Sequence, residues 1–125
     1  MTKVKNYLLN YDNMYIIQDT DMFNFSLDSV LLPNFVTINK KTKKILDIGS
    51  GNAPIPLILS TLTDAQIMAV EIQKDVYELG KESIKINKLE NRIDFINADI
   101  NELYKEIDTE TFDVITCNPP YLKVN

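Results

Sequence analysis

One stretch constrains the fold more than any other: residues 44–53, which read Lys-Ile-Leu-Asp-Ile-Gly-Ser-Gly-Asn-Ala. Its first half is apolar on both faces of a strand, which is typical of a central parallel strand covered by helices on each side. Gly49 and Gly51 can adopt positive φ and carry no Cβ, so the backbone can turn sharply there and approach a ligand closely. The stretch predicts a strand, a glycine turn and a helix. A turn with two glycines fits a cofactor site and an ordinary strand-to-helix connection equally well.

The rest of the chain repeats the alternation of strand and helix. Apolar patterns and breakers predict helices from Pro54, over 73–87 and over 102–107, and strands over 66–71, 92–97 and 112–117. This β-α-β-α-β-α-β order indicates an α/β fold with a parallel three-layer sheet and right-handed crossovers. Ahead of it, the sequence predicts a loosely ordered lead-in over 1–13, a strand over 14–18, and a helix that starts at Leu27 behind the N-cap Ser26 and is kinked at Pro33.

Composition excludes several kinds of chemistry. The chain has 125 residues, no histidine and a single cysteine, Cys117, which excludes an internal disulfide, a zinc cluster and a histidine-activated nucleophile. The net charge of -5 argues against strong binding of a phosphate backbone by the whole chain, although Lys40, Lys41, Lys43 and Lys44 form a local cluster that is typical of a solvated loop. Neither a signal peptide nor an apolar run of membrane length is present, so we expect a cytoplasmic protein that needs no membrane and no metal.

Two carboxylates follow predicted strands on the same edge of the sheet. Glu71 ends the second strand, 20 residues after Gly51, where a carboxylate can accept both hydroxyls of a nucleoside ribose. Asp99 ends the third strand, at a position expected to match that of Glu71 on the adjacent strand, where it can accept from an exocyclic amine. A dinucleotide-binding fingerprint would require glycine or alanine at position 54, which is Pro54, whereas Ala53 is the third small residue. The pair therefore favours a nucleoside cofactor other than NAD.

These residues, in this order, resemble the motif set of a known family. Residues 47–53, Glu71, Asp99 and the final Asn-Pro-Pro-Tyr at 118–121 are similar to the motifs of class I methyltransferases that use S-adenosylmethionine and methylate an amino nitrogen. The Phe-Ser-Leu-Asp-Ser-Val-Leu-Leu run at 25–32 resembles one branch, the bacterial adenine-N6 methyltransferases that modify the adenine beside the anticodon of a valine tRNA. The resemblance implies a Rossmann-like fold, S-adenosyl-L-methionine as the cofactor and tRNA as the substrate.

The resemblance extends over residues 18–125 and implies a site residue by residue. The positions that match cofactor-binding residues are Phe25, Asp28, Asp47, Gly49, Gly51, Glu71, Ile72, Asp99, Ile100 and Asn118. Those that match the catalytic element are Asn118, Pro119, Pro120 and Tyr121. Two departures, Ala53 for the more usual third glycine and Pro33 for a helix former, remove no functional group.

The implied mechanism concerns the lone pair of the target amine. An aromatic exocyclic amine is a poor nucleophile because its lone pair is delocalised into the ring. The resemblance implies that the Asn118 side-chain carbonyl and the Pro119 backbone carbonyl accept its two N–H hydrogens, while Pro120 stiffens the loop and Tyr121 stacks on the exposed base. Histidine is not needed as a base before attack.

Three alternatives stay open at this stage. The same Asn-Pro-Pro-Tyr chemistry methylates the glutamine side chain of translation release factors in a related group of enzymes, because a carboxamide nitrogen is also delocalised. The chain is alternatively an S-adenosylmethionine-binding module without catalysis, because it stops four residues after Tyr121. A nucleotide-dependent oxidoreductase fits least well, for the fingerprint reason given above.

The family fold also sets an expectation for domain organisation. We expect a single domain in which 1–43 is a lead-in with a helix and 44–125 is the N-terminal half of a methyltransferase domain, truncated after its fourth parallel strand. The resemblance implies a seven-stranded sheet whose first four strands lie in the order 3-2-1-4. The fourth strand would then have an unpaired edge, so the 125-residue chain alone is expected to self-associate or to be marginally stable, and to transfer no methyl group detectably.

Overall fold

The computed structural model describes residues 3–7, 14–19, 41–105 and 111–117. The strands within these ranges are β1 (Lys3–Tyr7), β2 (Tyr15–Asp19), β3 (Lys44–Ile48), β4 (Gln66–Glu71), β5 (Ile93–Asn97) and β6 (Val114–Cys117). The helices are α1 (Pro54–Leu62), α2 (Lys74–Ile86) and α3 (Ile100–Leu103). No helix within these ranges has the length and apolar character that a membrane span requires.

Four strands form the parallel sheet predicted from the sequence. β3 pairs with β4 on one side and with β6 on the other, and β4 pairs with β5, so the spatial order is β5-β4-β3-β6. In terms of the four parallel strands this is the order 3-2-1-4, which confirms the expectation for the first half of a methyltransferase sheet. The carboxyl ends of all four strands consequently lie along one edge.

The main core lies between one face of this sheet and the helices α1 and α2. Alternate residues of the strands point to this face, where Ile45, Ile67 and Ile93 occupy matching register positions and are at most 3% exposed. Leu57 of α1 and Ile84 of α2 belong to the same buried cluster. The intervening strand residues point to the opposite face, where Leu46 and Val70 are also buried. Burial on both faces explains why β3 has no amphipathic alternation.

The predicted boundaries of α1 and α2 are close to the observed ones. α1 begins at Pro54, where a missing N–H is tolerated, and its other end is covered by Arg92, whose guanidinium donates to the carbonyl groups of Ser60, Thr63 and Ala65. α2 was predicted over 73–87, and the structure makes the first and last of these residues its N-cap and C-cap.

Three expectations require correction. Residues 3–7 are not a loose lead-in: they form β1, which pairs antiparallel with β2. The short helix predicted over 102–107 is observed at Ile100–Leu103, because the Asp99 side chain accepts from the Asn101 N–H and starts the helix earlier. β6 begins at Val114, two residues later than predicted. The predicted helix at Leu27 and its kink at Pro33 lie outside the described residues.

Candidate functional site

The glycine turn after β3 is fastened to the end of β4. The N–H groups of Gly49 and Ser50 both donate to the Val70 carbonyl, at 2.9 and 3.0 Å. Gly49 has φ of 70° and Gly51 has φ of 59°, in the left-handed region that glycine adopts without steric cost. Among the described residues, a Cβ placed on Gly51 would meet only the Val76 side chain, at 4.0 Å. The backbone conformation is therefore the reason that this position favours glycine.

The start of α1 offers few N–H donors to a ligand. Ala53 is the N-cap and itself adopts a left-handed conformation, with φ of 73°, while its N–H donates to the Ser50 carbonyl at 2.9 Å. Of the first three helical residues, Pro54 and Pro56 have no N–H, which leaves only Ile55. Dinucleotide sites hold a pyrophosphate on the N–H groups of such a turn and helix. This helix start consequently lacks most of the donors that a pyrophosphate needs, which supports the prediction against NAD.

Glu71 connects the glycine turn with the segment that follows β4. Its carboxylate accepts from the Gly51 N–H at 2.9 Å through one oxygen and from the Gln73 N–H at 2.8 Å through the other. The Glu71 carbonyl accepts from the Ala98 N–H at 3.1 Å and from the Asn97 side chain at 2.9 Å. Although Glu71 is only 7% exposed, each carboxylate oxygen has a second lone pair with which to accept from a ligand.

The other predicted residues of this edge lie beside Glu71. Ile72 is 61% exposed, which is unusual for a large apolar side chain that directly follows a buried strand. Asn97 of β5 is in register with Glu71, so Asp99 lies two residues beyond the matched position and caps α3. Asp99 and Ile100 are both half-buried. The structure thus brings Gly49, Gly51, Glu71, Ile72, Asp99 and Ile100 to the same edge of the sheet.

Asp47 has a different environment. It points to the sheet face covered by α1 and α2 and is fully buried, with one carboxylate oxygen accepting from the Ser50 hydroxyl and the other from the Thr116 hydroxyl, both at 2.6 Å. Burial raises the pKa of Asp47 from 3.8 to about 6, and the two hydroxyl hydrogen bonds oppose that rise, while the charge of Glu71 adds to it. Among the described residues, the Asp47 carboxylate therefore links the glycine turn to β6 within the buried core.

The remaining site predictions fall on residues that the structure does not describe. These are Phe25 and Asp28, assigned to the cofactor, and Asn118, Pro119, Pro120 and Tyr121, assigned to catalysis. They stay predictions. Their position in the sequence relative to the site is informative, because Asn118 directly follows β6, and the last residue of β6 is in register with Ile48 at the end of β3.

Sequence reasoning missed the buried residues whose hydrogen bonds connect the glycine turn to the neighbouring strands. Ser50 and Thr116 are the partners of Asp47, and Asn52 donates to the Ile17 carbonyl of β2 at 3.0 Å. One signal was available for the contact with β2: Ser83 and Asn87 share a helix face with the apolar residues Leu79 and Ile84, and buried polar side chains require partners.

The comparisons with known proteins identify the family. The sequence profile of the methyltransferase small domain family matches residues 20–124, most of the chain. The chain belongs to this family.

Its curated relatives include bacterial tRNA methyltransferases. The tRNA1(Val) (adenine(37)-N6)-methyltransferase of Flavobacterium psychrophilum is 32% identical over 119 residues, which is 94% of this chain and 50% of the relative. The protein of the same name from Haemophilus influenzae is 34% identical over 115 residues, which is 90% of this chain and 49% of the relative. The chain thus spans about half the length of these relatives.

Solved structures confirm the fold class. A SAM-dependent methyltransferase from Agrobacterium tumefaciens has a TM-score of 0.70 at 20% identity, covering 94% of this chain and 40% of the other. TrmK of M. capricolum, solved with S-adenosyl-homocysteine, has a TM-score of 0.61 at 18% identity, covering 76% of this chain and 41% of the other. The α/β fold with its four-stranded parallel sheet is that of part of a class I methyltransferase, a fold that uses S-adenosylmethionine.

Proposed function

We propose that this chain forms the cofactor-binding half of an enzyme that transfers a methyl group from S-adenosylmethionine to adenine N6 in a tRNA. One observation carries the proposal: the glycine turn, Glu71, Ile72 and Asp99 lie together at the carboxyl edge of a 3-2-1-4 sheet. The strand beside that turn, β6, leads in the sequence directly into the Asn-Pro-Pro-Tyr element at 118–121.

The edge has the chemical groups that an adenosine requires. The Glu71 carboxylate is fixed by two backbone N–H groups and keeps lone pairs for the ribose hydroxyls. Next to it, the exposed Ile72 side chain offers an apolar surface on which an adenine ring would be shielded from water. Two residues past the end of the neighbouring strand, Asp99 would accept from the adenine amine, and Ile100 would provide a second apolar contact. S-adenosylmethionine has no phosphate, which agrees with the two prolines at the start of α1.

The chemistry proposed for this site requires hydrogen-bond acceptors and no base before attack. The transfer would break the bond between sulfur and methyl, leave S-adenosylhomocysteine, and be followed by loss of one proton from the methylated amine to water. When bound, S-adenosylmethionine supplies an electrophilic methyl group on a sulfonium. The Asn118 side-chain carbonyl and the Pro119 carbonyl would accept the two N–H hydrogens of the target amine, which localises the lone pair on nitrogen. Pro120 restricts the backbone so that these acceptors keep their positions, and Tyr121 stacks on the base.

The choice of tRNA adenine over protein glutamine rests on the relatives. The two relatives named above carry the name tRNA1(Val) (adenine(37)-N6)-methyltransferase, and each matches at least 90% of this chain. Because the chain spans about half of each, the complete activity needs a test in which the other half is present.

A chimera provides that test. Residues 1–125 replace the matching half of the Flavobacterium psychrophilum relative, and transfer of labelled methyl is measured on tRNA transcripts with adenine or guanine at position 37 and on a translation release factor. We expect transfer to the adenine transcript alone. We also expect Asn118→Ala in the chimera to lower the rate far more than the affinity for S-adenosylhomocysteine, because its hydrogen bond matters most as the amine loses planarity. A chimera that binds S-adenosylhomocysteine and methylates only the release factor would overturn the proposed substrate.

A further inference from the structure

The outer edge of β2 is hydrogen-bonded to side chains and not to another strand. The Asn87 side chain accepts from the Tyr15 N–H at 2.9 Å and donates to the Tyr15 carbonyl at 2.6 Å. The Ser83 hydroxyl accepts from the Ile17 N–H at 2.7 Å, and the Asn52 side chain donates to the Ile17 carbonyl at 3.0 Å. Three side chains therefore satisfy the backbone groups of Tyr15 and Ile17, which β2 turns away from β1.

The spacing of Ser83 and Asn87 along α2 matches the spacing of Ile17 and Tyr15 along β2. Ser83 and Asn87 lie four residues apart on α2, which is about 6 Å along a helix, and Ile17 and Tyr15 lie two residues apart on β2, which is about 6.6 Å along a strand. The pairing runs antiparallel, with Tyr15 at the C-cap of α2 and Ile17 one turn earlier. The next partner in the row is Asn52, which belongs to the glycine turn.

Asn52 lies between two residues that hold unusual backbone conformations. Gly51 and Ala53, on either side, have φ of 59° and 73°. The backbone of Asn52 also lies against α2: a Cβ on Gly80 would come within 3.1 Å of the Asn52 carbonyl carbon. With its side chain bonded to β2 and its backbone against Gly80, Asn52 is only 6% exposed. The turn is thus held by Glu71 through Gly51 and by the N-terminal hairpin through Asn52.

We propose that Asn52 is a positioning residue for the cofactor site, and that the β1-β2 hairpin supports that site through it. This inference rests on the proposed function. The Ile17 carbonyl is buried, so loss of the Asn52 amide leaves it without its partner and allows the turn to move away from the hairpin. Because Gly51 precedes Asn52 directly, that movement alters the position of the Gly51 N–H that orients Glu71.

Asn87 provides a matched control. Its side chain is also hydrogen-bonded to the outer edge of β2, with two bonds to Tyr15 where Asn52 makes a single bond to that edge, and it donates in addition to the Ser83 carbonyl of its own helix at 2.7 Å. Seven residues of α2, about 10 Å, separate it from Gly80 at the turn. Asn87→Ala therefore loosens the hairpin at the end remote from the cofactor, and Asn52→Ala loosens it at the glycine turn.

The experiment measures the affinity of the chain for S-adenosylhomocysteine by calorimetry, at a temperature where circular dichroism shows every variant folded. We expect Asn52→Ala to weaken binding about threefold to tenfold, the range for one hydrogen bond. We expect Asn87→Ala to keep the affinity within about twofold of wild type, even if its unfolding midpoint falls by as much as that of Asn52→Ala. If Asn52→Ala does not fold, Asn52→Ser serves in its place, since its hydroxyl is too short to bridge the distance but retains a polar group.

Equal affinities of the wild type and the Asn52 variant for S-adenosylhomocysteine would overturn the inference. Equal losses of affinity in the Asn52 and Asn87 variants would also overturn it, because such losses would reflect reduced stability alone. If the wild-type chain itself fails to bind S-adenosylhomocysteine, the proposed function fails and this inference falls with it, a result distinct from both.

Discussion

Replacement of Asp47 by asparagine should remove a pH dependence of folding stability. Burial raises the pKa of Asp47 from 3.8 to about 6, against the opposing effect of the Ser50 and Thr116 hydrogen bonds and with a further rise from the charge of Glu71. Because the folded chain holds this proton more tightly than the unfolded chain, the stability that Asp47 contributes is complete below pH 3.8 and is lost as the pH rises through about 6.

The size of the effect follows from the pKa. A rise from 3.8 to about 6 corresponds to about 3 kcal/mol, at about 1.36 kcal/mol per pH unit, and about half of this is lost between pH 5 and pH 7.5. An asparagine keeps both hydrogen bonds, because its carbonyl accepts from one hydroxyl and its amide donates to the other, which can rotate. We therefore expect Asp47→Asn to be more stable than wild type at pH 7.5, with an advantage that shrinks by about 1–2 kcal/mol at pH 5.

Urea denaturation followed by circular dichroism at the two pH values measures this difference. The chain has no histidine, so no other side chain with an ordinary pKa near 6 complicates the comparison. Asp113→Asn is the control. Asp113 is exposed, and hydrogen bonds from the N–H groups of Lys43 and Lys44 lower its pKa. Its contribution to folding stability is therefore lost only as the pH falls below the ordinary pKa of an aspartate, so this variant should keep the wild-type dependence between pH 5 and pH 7.5. An Asp47→Asn variant with the pH dependence of wild type would refute the reasoning.

Substitutions at two further positions, Ala53 and Gly80, test the packing around the glycine turn. Ala53→Gly should change the free energy of unfolding by less than about 0.5 kcal/mol in the same denaturation assay. Glycine adopts the left-handed conformation without strain, but this gain is offset by the loss of a buried methyl group and by the greater freedom of the unfolded chain. Ala53→Val should cost more than about 2 kcal/mol, because a β-branched side chain would be both strained and overpacked there. A clearly stabilised glycine variant would contradict this balance. Gly80→Ala should cost about 1–2 kcal/mol, because its Cβ would overlap the Phe95 ring, and the loss should be smaller in a Phe95→Leu background. Equal losses in both backgrounds would show that the ring is not the obstacle.

The parallel sheet could be predicted because its determinants are local. The apolar run before Gly49 specifies β3, and the prolines specify the start of α1. The order of the strands was implied by the family resemblance, because right-handed crossovers alone are compatible with more than one order. Glu71 could be placed from local determinants, because it is the last residue of β4, whose end the sequence defines, whereas Asp99 lies two residues past the end of β5.

The hairpin and the environment of Asp47 could not be predicted because their determinants are distant in the sequence. β1 is short and polar, and the edge of its partner β2 is satisfied by Ser83 and Asn87, more than 60 residues away. Thr116 is 69 residues from Asp47, so nothing near the glycine turn indicates that this carboxylate is buried between two hydroxyls. Propensity and periodicity describe neighbours along the chain, whereas these contacts depend on the completed fold.

The most direct test of the central claim is calorimetry of the chain with S-adenosylhomocysteine and, separately, with NAD. We expect binding of S-adenosylhomocysteine alone. Glu71→Ala should weaken it by about 1.5–3 kcal/mol, roughly 10-fold to 150-fold, the range for a charge-assisted hydrogen bond, while Asp94→Ala, which removes an exposed carboxylate from β5, should leave it unchanged. Binding of NAD, or an unchanged affinity for S-adenosylhomocysteine in a folded Glu71→Ala variant, would contradict the assignment of this edge as an S-adenosylmethionine site.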